Sequence, residues 1–269
     1  MSLSFDKWEG LGNDFIILEL PERCLPFDAE KTQRLCDRHR GIGADGILYV
    51  DYNQRYPTMI VVNADGSRPE MCGNGLRCVA AYLARQQRDK HDVTTLVVRT
   101  DAGEKQCLVQ PNGDAYAVTV DMGVARQAEP LCVPIAGQTH VFTMIDIGNP
   151  HAITFEPAYT QADIDVVGPL VATSIPGGTN VEFCRIDTSG PRPRIEVTVW
   201  ERGVGRTLAC GTGASAVAAA ACDAQAIAFD QVVDVVLPGG ILEITVAANR
   251  EVRMRGPARR VFTGEVFTR

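Results

Sequence analysis

Two cysteines stand in matching surroundings, Cys72 in EMCGNGLRC and Cys210 in LACGTGASA. Each is followed by Gly-x-Gly and a run of helix formers, LRCVAAYLARQQ after the first and ASAVAAAACDAQ after the second. A cysteine at the mouth of a helix meets N–H groups without an intrahelical acceptor and the positive end of the helix dipole. Its pKa is therefore expected to fall and its thiolate to become accessible. One such thiol would suggest a nucleophile. Two, produced by repetition, suit a two-base proton transfer, in which a thiolate removes a proton from one face of a carbon and a thiol returns one to the other. The glycine turns also bare backbone N–H groups for an anion, such as a carboxylate gaining charge as its α-proton leaves.

Other polar residues keep step with the cysteines. Gly12-Asn13-Asp14-Phe15 has a counterpart in Gly148-Asn149-Pro150-His151; Asn13 and Asn149 are 136 positions apart, Cys72 and Cys210 138. Two elements in one order at nearly one offset argue for a duplicated domain. Asn63 lies nine residues before Cys72, and Glu201, followed by Arg202, nine before Cys210. Arg202 is a natural bidentate clamp for a carboxylate, or half of a surface ion pair. His151 and Glu201 could tune a neighbouring thiol. Asn13, Asn63, Asn149 and Asn180 sit beside strand-like stretches, where each, taken alone, reads as a turn residue before it reads as a ligand. A zinc or redox centre fits poorly, because Cys72 and Cys78 are not a C-x-x-C pair and no histidines stand in ligand spacing.

The elements that must position these residues are mostly short strands rich in Val, Ile and Thr, among them FIILEL, GILYVDY, TMIVVNAD, NVEFCRID and RIEVTVWERG. PFDAEKTQRLCDRHRG reads as a helix with Asp28 as N-cap and Gly41 as stop, and QADIDVVGPLVATS as its counterpart. The run Ala214–Ala221 is apolar on every face, so its helix should be buried all round. The expected fold is α/β (α+β) with two pseudo-symmetric domains, 1–124 and 125–261, and a closing strand 262–269 free to return to the first. A central helix wrapped by strands, once per half, fits best.

The chain has 269 residues, 45% hydrophobic and 22% charged, as in a globular protein large enough for two cores. A net charge of −7 speaks against nucleic acid or an anionic membrane as partner. No stretch approaches a transmembrane span and the opening MSLSFDKWEG has no apolar signal core, so nine cysteines point to a reducing cytoplasm. Cys36, Cys107, Cys132, Cys184 and Cys222, with Cys78, read as small core residues.

WEGLGNDFIIL, GIGADGIL, NADGSRPEMCGNGLRC, GNPHAITF, GTNVEFCRI, VWERGVGRTLACGTGASA and GPARRVFTGEV together resemble the diaminopimelate epimerase family, in order from about residue 5 to the end. The resemblance implies barrel-like, mostly antiparallel sheets around the central helices. It implies a cytoplasmic, homodimeric isomerase that interconverts LL- and meso-diaminopimelate without cofactor or metal, for lysine and peptidoglycan precursors. Carried over residue by residue, Cys72 and Cys210 are the acid/base thiols. Gly73 with Asn74, and Gly211 with Thr212, hold the reacting carboxylate. Asn13, Asn63, Asn149, Asn180, Glu201 and Arg202 bind the distal end, and His151 and Glu201 modulate the thiols. The chain departs from the family at Gly46, where some members carry Gln, and Glu9 and Arg206 are unusual beside the motifs. Relatives of this fold racemise other amino acids such as histidine, and a catalytically silent binding relative is the non-enzyme alternative.

Overall fold

The repeat in the sequence returns as a repeated order of elements. The computed structural model describes residues 2–20, 28–69, 71–87, 93–156 and 159–267. Its contacts divide the chain into one unit of Met1–Val120 with Gly256–Arg269 and another of Asp121–Arg255.

In the first unit the strands β1 (Ser2–Gly10), β2 (Asn13–Glu19), β3 (Gly46–Asp51), β4 (Thr58–Asn63), β5 (Thr94–Thr100), β6 (Gly103–Asn112) and β7 (Ala115–Val124) lie side by side in chain order. The second half of β16 (Glu251–Phe267) pairs with β1, and β16 also neighbours β7, so this sheet closes on itself. Among the described residues, β2–β3 and β4–β5 are parallel and β1–β2, β3–β4, β5–β6 and β6–β7 antiparallel. A parallel pair needs a crossover; helix α1 (Ala29–Cys36) supplies the first and α2 (Gly73–Gln86) the second. Helix α2 packs against β1 to β6, and every residue from Gly73 to Ala84 is buried.

The second unit repeats the plan. Its sheet runs β8 (Arg126–Ile135), β9 (Gln138–Asp146), β10 (Pro150–Thr154), β11 (Asn180–Asp187), β12 (Arg194–Glu201), β14 (Val232–Leu237), β15 (Gly240–Val246) and the start of β16, with β13 (Gly205–Arg206) folded back on β12. Again two pairs are parallel, β10–β11 and β12–β14. They are bridged by α3 (Gln161–Ala172) and by the segment holding α4 (Gly211–Asp223). Helix α4 packs against β9 to β12, β14 and β15, and Ala214–Cys222 are all buried. Its alanines let the surrounding sheet approach closely. The strand order therefore matches β1 to β6 with β9 to β12, β14 and β15.

Local chemistry sets the helix ends. Asp28 caps α1 by accepting from the Lys31 N–H at 2.9 Å; Pro26 and Phe27 of the stretch read as this helix lie outside the described residues. The helix ends at Cys36, short of Gly41, where a Cβ would collide with the carbonyls of Arg34 and Leu35. Thr160 and Asp163 form a reciprocal capping box at α3. Two expectations change. Cys132 is exposed, because the alternation along β8 turns it outward. The return strand is longer than 262–269: β16 is continuous from Glu251, and contacts assign it to the first unit from Gly256. Among the described residues no helix is long and apolar enough to cross a membrane.

Candidate active site

Each motif cysteine is itself the N-cap of its unit's central helix. Cys72 adopts an extended backbone, φ −137° and ψ 105°, and its Sγ accepts the Gly75 N–H at 3.3 Å. Cys210 repeats this at φ −128° and ψ 110°, with the Gly213 N–H at 3.3 Å. Serine or aspartate usually fills this position; here a thiol faces the unpaired N–H groups at the positive end of the helix dipole. The N–H groups of the next two residues, Gly73 and Asn74 or Gly211 and Thr212, belong to the first turn, whose donors point out of the helix end.

In the first unit Asn13, Gly46 and Asn63 stand at neighbouring strand ends, since Phe15 pairs with Gly46 and Gly46 with Asn63. Asn74 donates to Asn13 Oδ1 at 3.1 Å, and Asn13 donates to Asp45 Oδ2 at 2.7 Å. Asp45 is held by Arg38 at 2.7 Å, and Arg38 and the buried Lys7 both pair with Asp14. Burial would raise the Asp14 carboxyl, but hydrogen bonds from Arg38 and Lys7, with their charges, outweigh it and hold it below the usual range. Asn63 donates to Ser67 Oγ at 2.9 Å. Glu9 accepts the Gly12 N–H at 3.1 Å, which steadies the β1–β2 turn.

In the second unit His151 Nδ1 lies 2.7 Å from Glu182 Oε1, with both residues fully buried, and His151 Nε2 lies 3.2 Å from Asn149 Oδ1. Asn180 Oδ1 accepts the backbone N–H of Arg202 at 2.9 Å. The Arg202 guanidinium donates to the Gly177 carbonyl at 2.6 Å, and its stem lies over Gly178, whose φ of +72° suits glycine. Arg206 bonds Asp165 at 2.6 Å and so ties β13 to α3. Thr212 Oγ1 lies 3.4 Å from Cys210 Sγ.

The lowered thiol pKa expected at a helix mouth does not hold for Cys210. Burial first, then the carboxylates of Glu201 and Glu182, push it well above the ordinary thiol range, against hydrogen bonds from Thr212 and the Gly213 N–H. Desolvation outweighs the helix dipole there, since Cys210 is only 6% exposed.

Asn13, Asn63, Cys72, Gly73 and Asn74 thus lie in the first unit, and Asn149, His151, Asn180, Glu201, Arg202, Cys210, Gly211 and Thr212 in the second. Sequence reasoning missed Asp45, which orients Asn13, and Glu182. The signal for Glu182 was an acid inside the otherwise apolar run VEFC of NVEFCRI.

A family model described as diaminopimelate epimerase matches residues 5–128 and 143–261. "Diaminopimelate epimerase 1" of Nostoc sp. is 38% identical over 290 residues, covering 99% of this chain and all of that protein. The diaminopimelate epimerase of Synechocystis sp. is 39% identical, covering 98% and 99%. Among solved structures, a predicted epimerase from Pseudomonas aeruginosa superposes with a TM-score of 0.74 at 15% identity, covering 99% of this chain and 100% of its own. A hydroxyproline epimerase from Agrobacterium vitis does so at 0.68 and 17%, covering 98% and 91%. At such identities these two neighbours speak to the fold alone.

Proposed function

The chain belongs to the diaminopimelate epimerase family, and on that premise we propose that it interconverts LL- and meso-2,6-diaminopimelate with Cys72 and Cys210 as the two acid/base thiols. The observation that carries the reading is that each cysteine caps the buried helix of its unit, with Sγ hydrogen-bonded to the third helical N–H. One thiolate takes the α-proton: an S–H bond forms and the C–H electron pair moves towards the carboxylate. The first-turn N–H groups at Gly73 and Asn74, and at Gly211 and Thr212, stabilise the enediolate-like charge. The other thiol then gives up its proton to the opposite face, which inverts the carbon. Solvent exchange resets the pair, and these steps call on no group beyond the chain.

Asn13, Asn63, Asn149, Asn180, Glu201 and Arg202 bind the distal amino-acid end in this reading, and His151 and Glu201 tune the thiols. Asp45 holds Asn13 in place, and Asn180 does the same for the Arg202 backbone. The family resemblance also supports a cytoplasmic homodimer, and light scattering of the purified chain tests the oligomer.

Incubation with LL-diaminopimelate in D2O tests the reaction. Epimer formation and α-proton exchange are expected together. Cys72→Ala and Cys210→Ala should each abolish epimerisation, since one thiol cannot serve both faces, and Cys→Ser should be crippled because a hydroxyl is a far weaker acid. Full turnover by either alanine variant would end the two-base assignment. Inertness towards diaminopimelate with racemisation of histidine would move the substrate.

A further inference from the structure

Glu182 is a fully buried carboxylate that the reaction above leaves unused. It lies on β11, and its Oε1 is bonded to His151 Nδ1. Its Oε2 is buried with no hydrogen-bond partner among the described residues, a costly arrangement for a residue with only a packing role. A carbon built on the Gly213 Cα would fall 2.6 Å from Glu182 Oε1 and 3.3 Å from Cys210 Sγ. The carboxylate and the thiol therefore flank the same glycine, whose N–H is the one that the sulfur accepts.

The first unit shows what that position holds without an acid. In the parallel pair β2–β3, Phe15 lies opposite Gly46 and Ile17 opposite Leu48; in β10–β11, His151 lies opposite Asn180 and Ile153 opposite Glu182. Since Gly12-Asn13-Asp14-Phe15 corresponds to Gly148-Asn149-Pro150-His151, Phe15 stands where His151 stands and Leu48 where Glu182 stands. The packing agrees: a carbon on Gly75 would fall 2.9 Å from Leu48 Cδ2 and 3.4 Å from Cys72 Sγ. One scaffold thus sets an apolar Leu48 beside Cys72, with Phe15 at the register position of His151, and a carboxylate, bonded to a buried histidine, beside Cys210.

We propose that Glu182 is a positioning residue that, anchored by His151, keeps the proton on the Cys210 sulfur and so makes the two acid/base thiols chemically unequal. The carboxylate and the Cys210 sulfur flank the same glycine, and the charge of Glu182 opposes a thiolate there. Among the described residues, Cys184, two positions along β11, feels the charge of Glu182, and Glu201 at the end of β12 acts on Cys210 in the same direction as Glu182. The inference rests on the acid/base role given to Cys210 above.

Alkylation by iodoacetamide across a pH series, read cysteine by cysteine by peptide mass mapping, tests it on the full chain. Glu182→Gln, which keeps the shape, should lower the alkylation midpoint of Cys210 by roughly one to two pH units, the scale of a close charge partner. The Cys72 midpoint in the same samples should stay put. If the Gln variant does not fold, the double variant His151→Phe/Glu182→Leu, which installs the pair of the first unit, should give the same one-sided shift. An unmoved Cys210 midpoint in a folded variant, or an equal shift at both cysteines, overturns the proposal. The readout needs no turnover: a one-sided shift in a chain inert towards diaminopimelate would sink the proposed function and leave this role of Glu182 standing.

Discussion

Arg202 shows how a side chain can be aimed before any substrate arrives. Its backbone N–H is fixed by Asn180, its stem lies over Gly178, and one guanidinium nitrogen is anchored on the Gly177 carbonyl. That anchor fixes the plane of the fork. Lysine would keep the charge and could reach the same carbonyl, but an ammonium cannot then present a planar pair of donors to a carboxylate. Arg202→Lys should cost roughly 30- to 150-fold in kcat/KM for diaminopimelate, about 2–3 kcal/mol for a charge-assisted pair. Steady-state kinetics decide it, and an unchanged kcat/KM would remove Arg202 from the distal clamp and favour a smaller substrate. At this scale the sequence was only half legible. Asn13 and Arg202 could be picked out by motif, while Asp45 and Glu182, which act through other residues, emerge only when strand register brings them beside their partners.

Among the elements, the approach of β3 to β4 carries the Gly46 departure. A Cβ at Gly46 would lie 2.8 Å from the Val62 carbonyl oxygen and 3.3 Å from the Asn63 Cα. Both neighbours are backbone, so neither can swing aside, and Asn63 is the residue paired with Gly46 in the ladder. Gly46→Ala should therefore destabilise the chain by about 1–3 kcal/mol, a fall of roughly 2–10 °C in the thermal midpoint. Gly46→Gln should suffer the same loss instead of supplying a substrate contact. An unchanged midpoint by calorimetry would mean slack between these strands. The elements were mostly legible, for a physical reason: caps, turns and an all-apolar alanine run are local signals. The reading of Cys132 as core failed because apolar neighbours in sequence alternate faces in a strand. The Cys210 thiol departs from what a helix mouth alone would give because desolvation depends on packing that no local pattern records.

At the scale of the whole chain, the duplication was legible in two motifs at nearly one offset, but the route by which the chain completes its first unit was not. Pairing is non-local, and Pro257 gave no sign that β16 runs unbroken from Glu251 to Phe267. That strand closes the sheet of the first unit from its far end. It pairs with β1 from Ser2–Phe267 to Glu9–Arg259, sets Arg260 on Asp6 at 2.6 Å, stacks Phe262 edge-on against Phe5 at 5.8 Å, and gives its Pro257 carbonyl to the buried Arg77 at 3.1 Å. A chain ending at Arg255 would strip β1 of this partner and take the Pro257 carbonyl from the buried Arg77, while every residue of the second unit remained. Such a truncation should lose epimerisation. Limited proteolysis should cut it throughout 1–120 and spare a fragment close to 121–255. Mass mapping of the digest reads the outcome directly. Protection of 1–120 equal to that of the full chain would mean that the first unit holds its sheet without the returning strand, and that β16 contributes pairing but not stability.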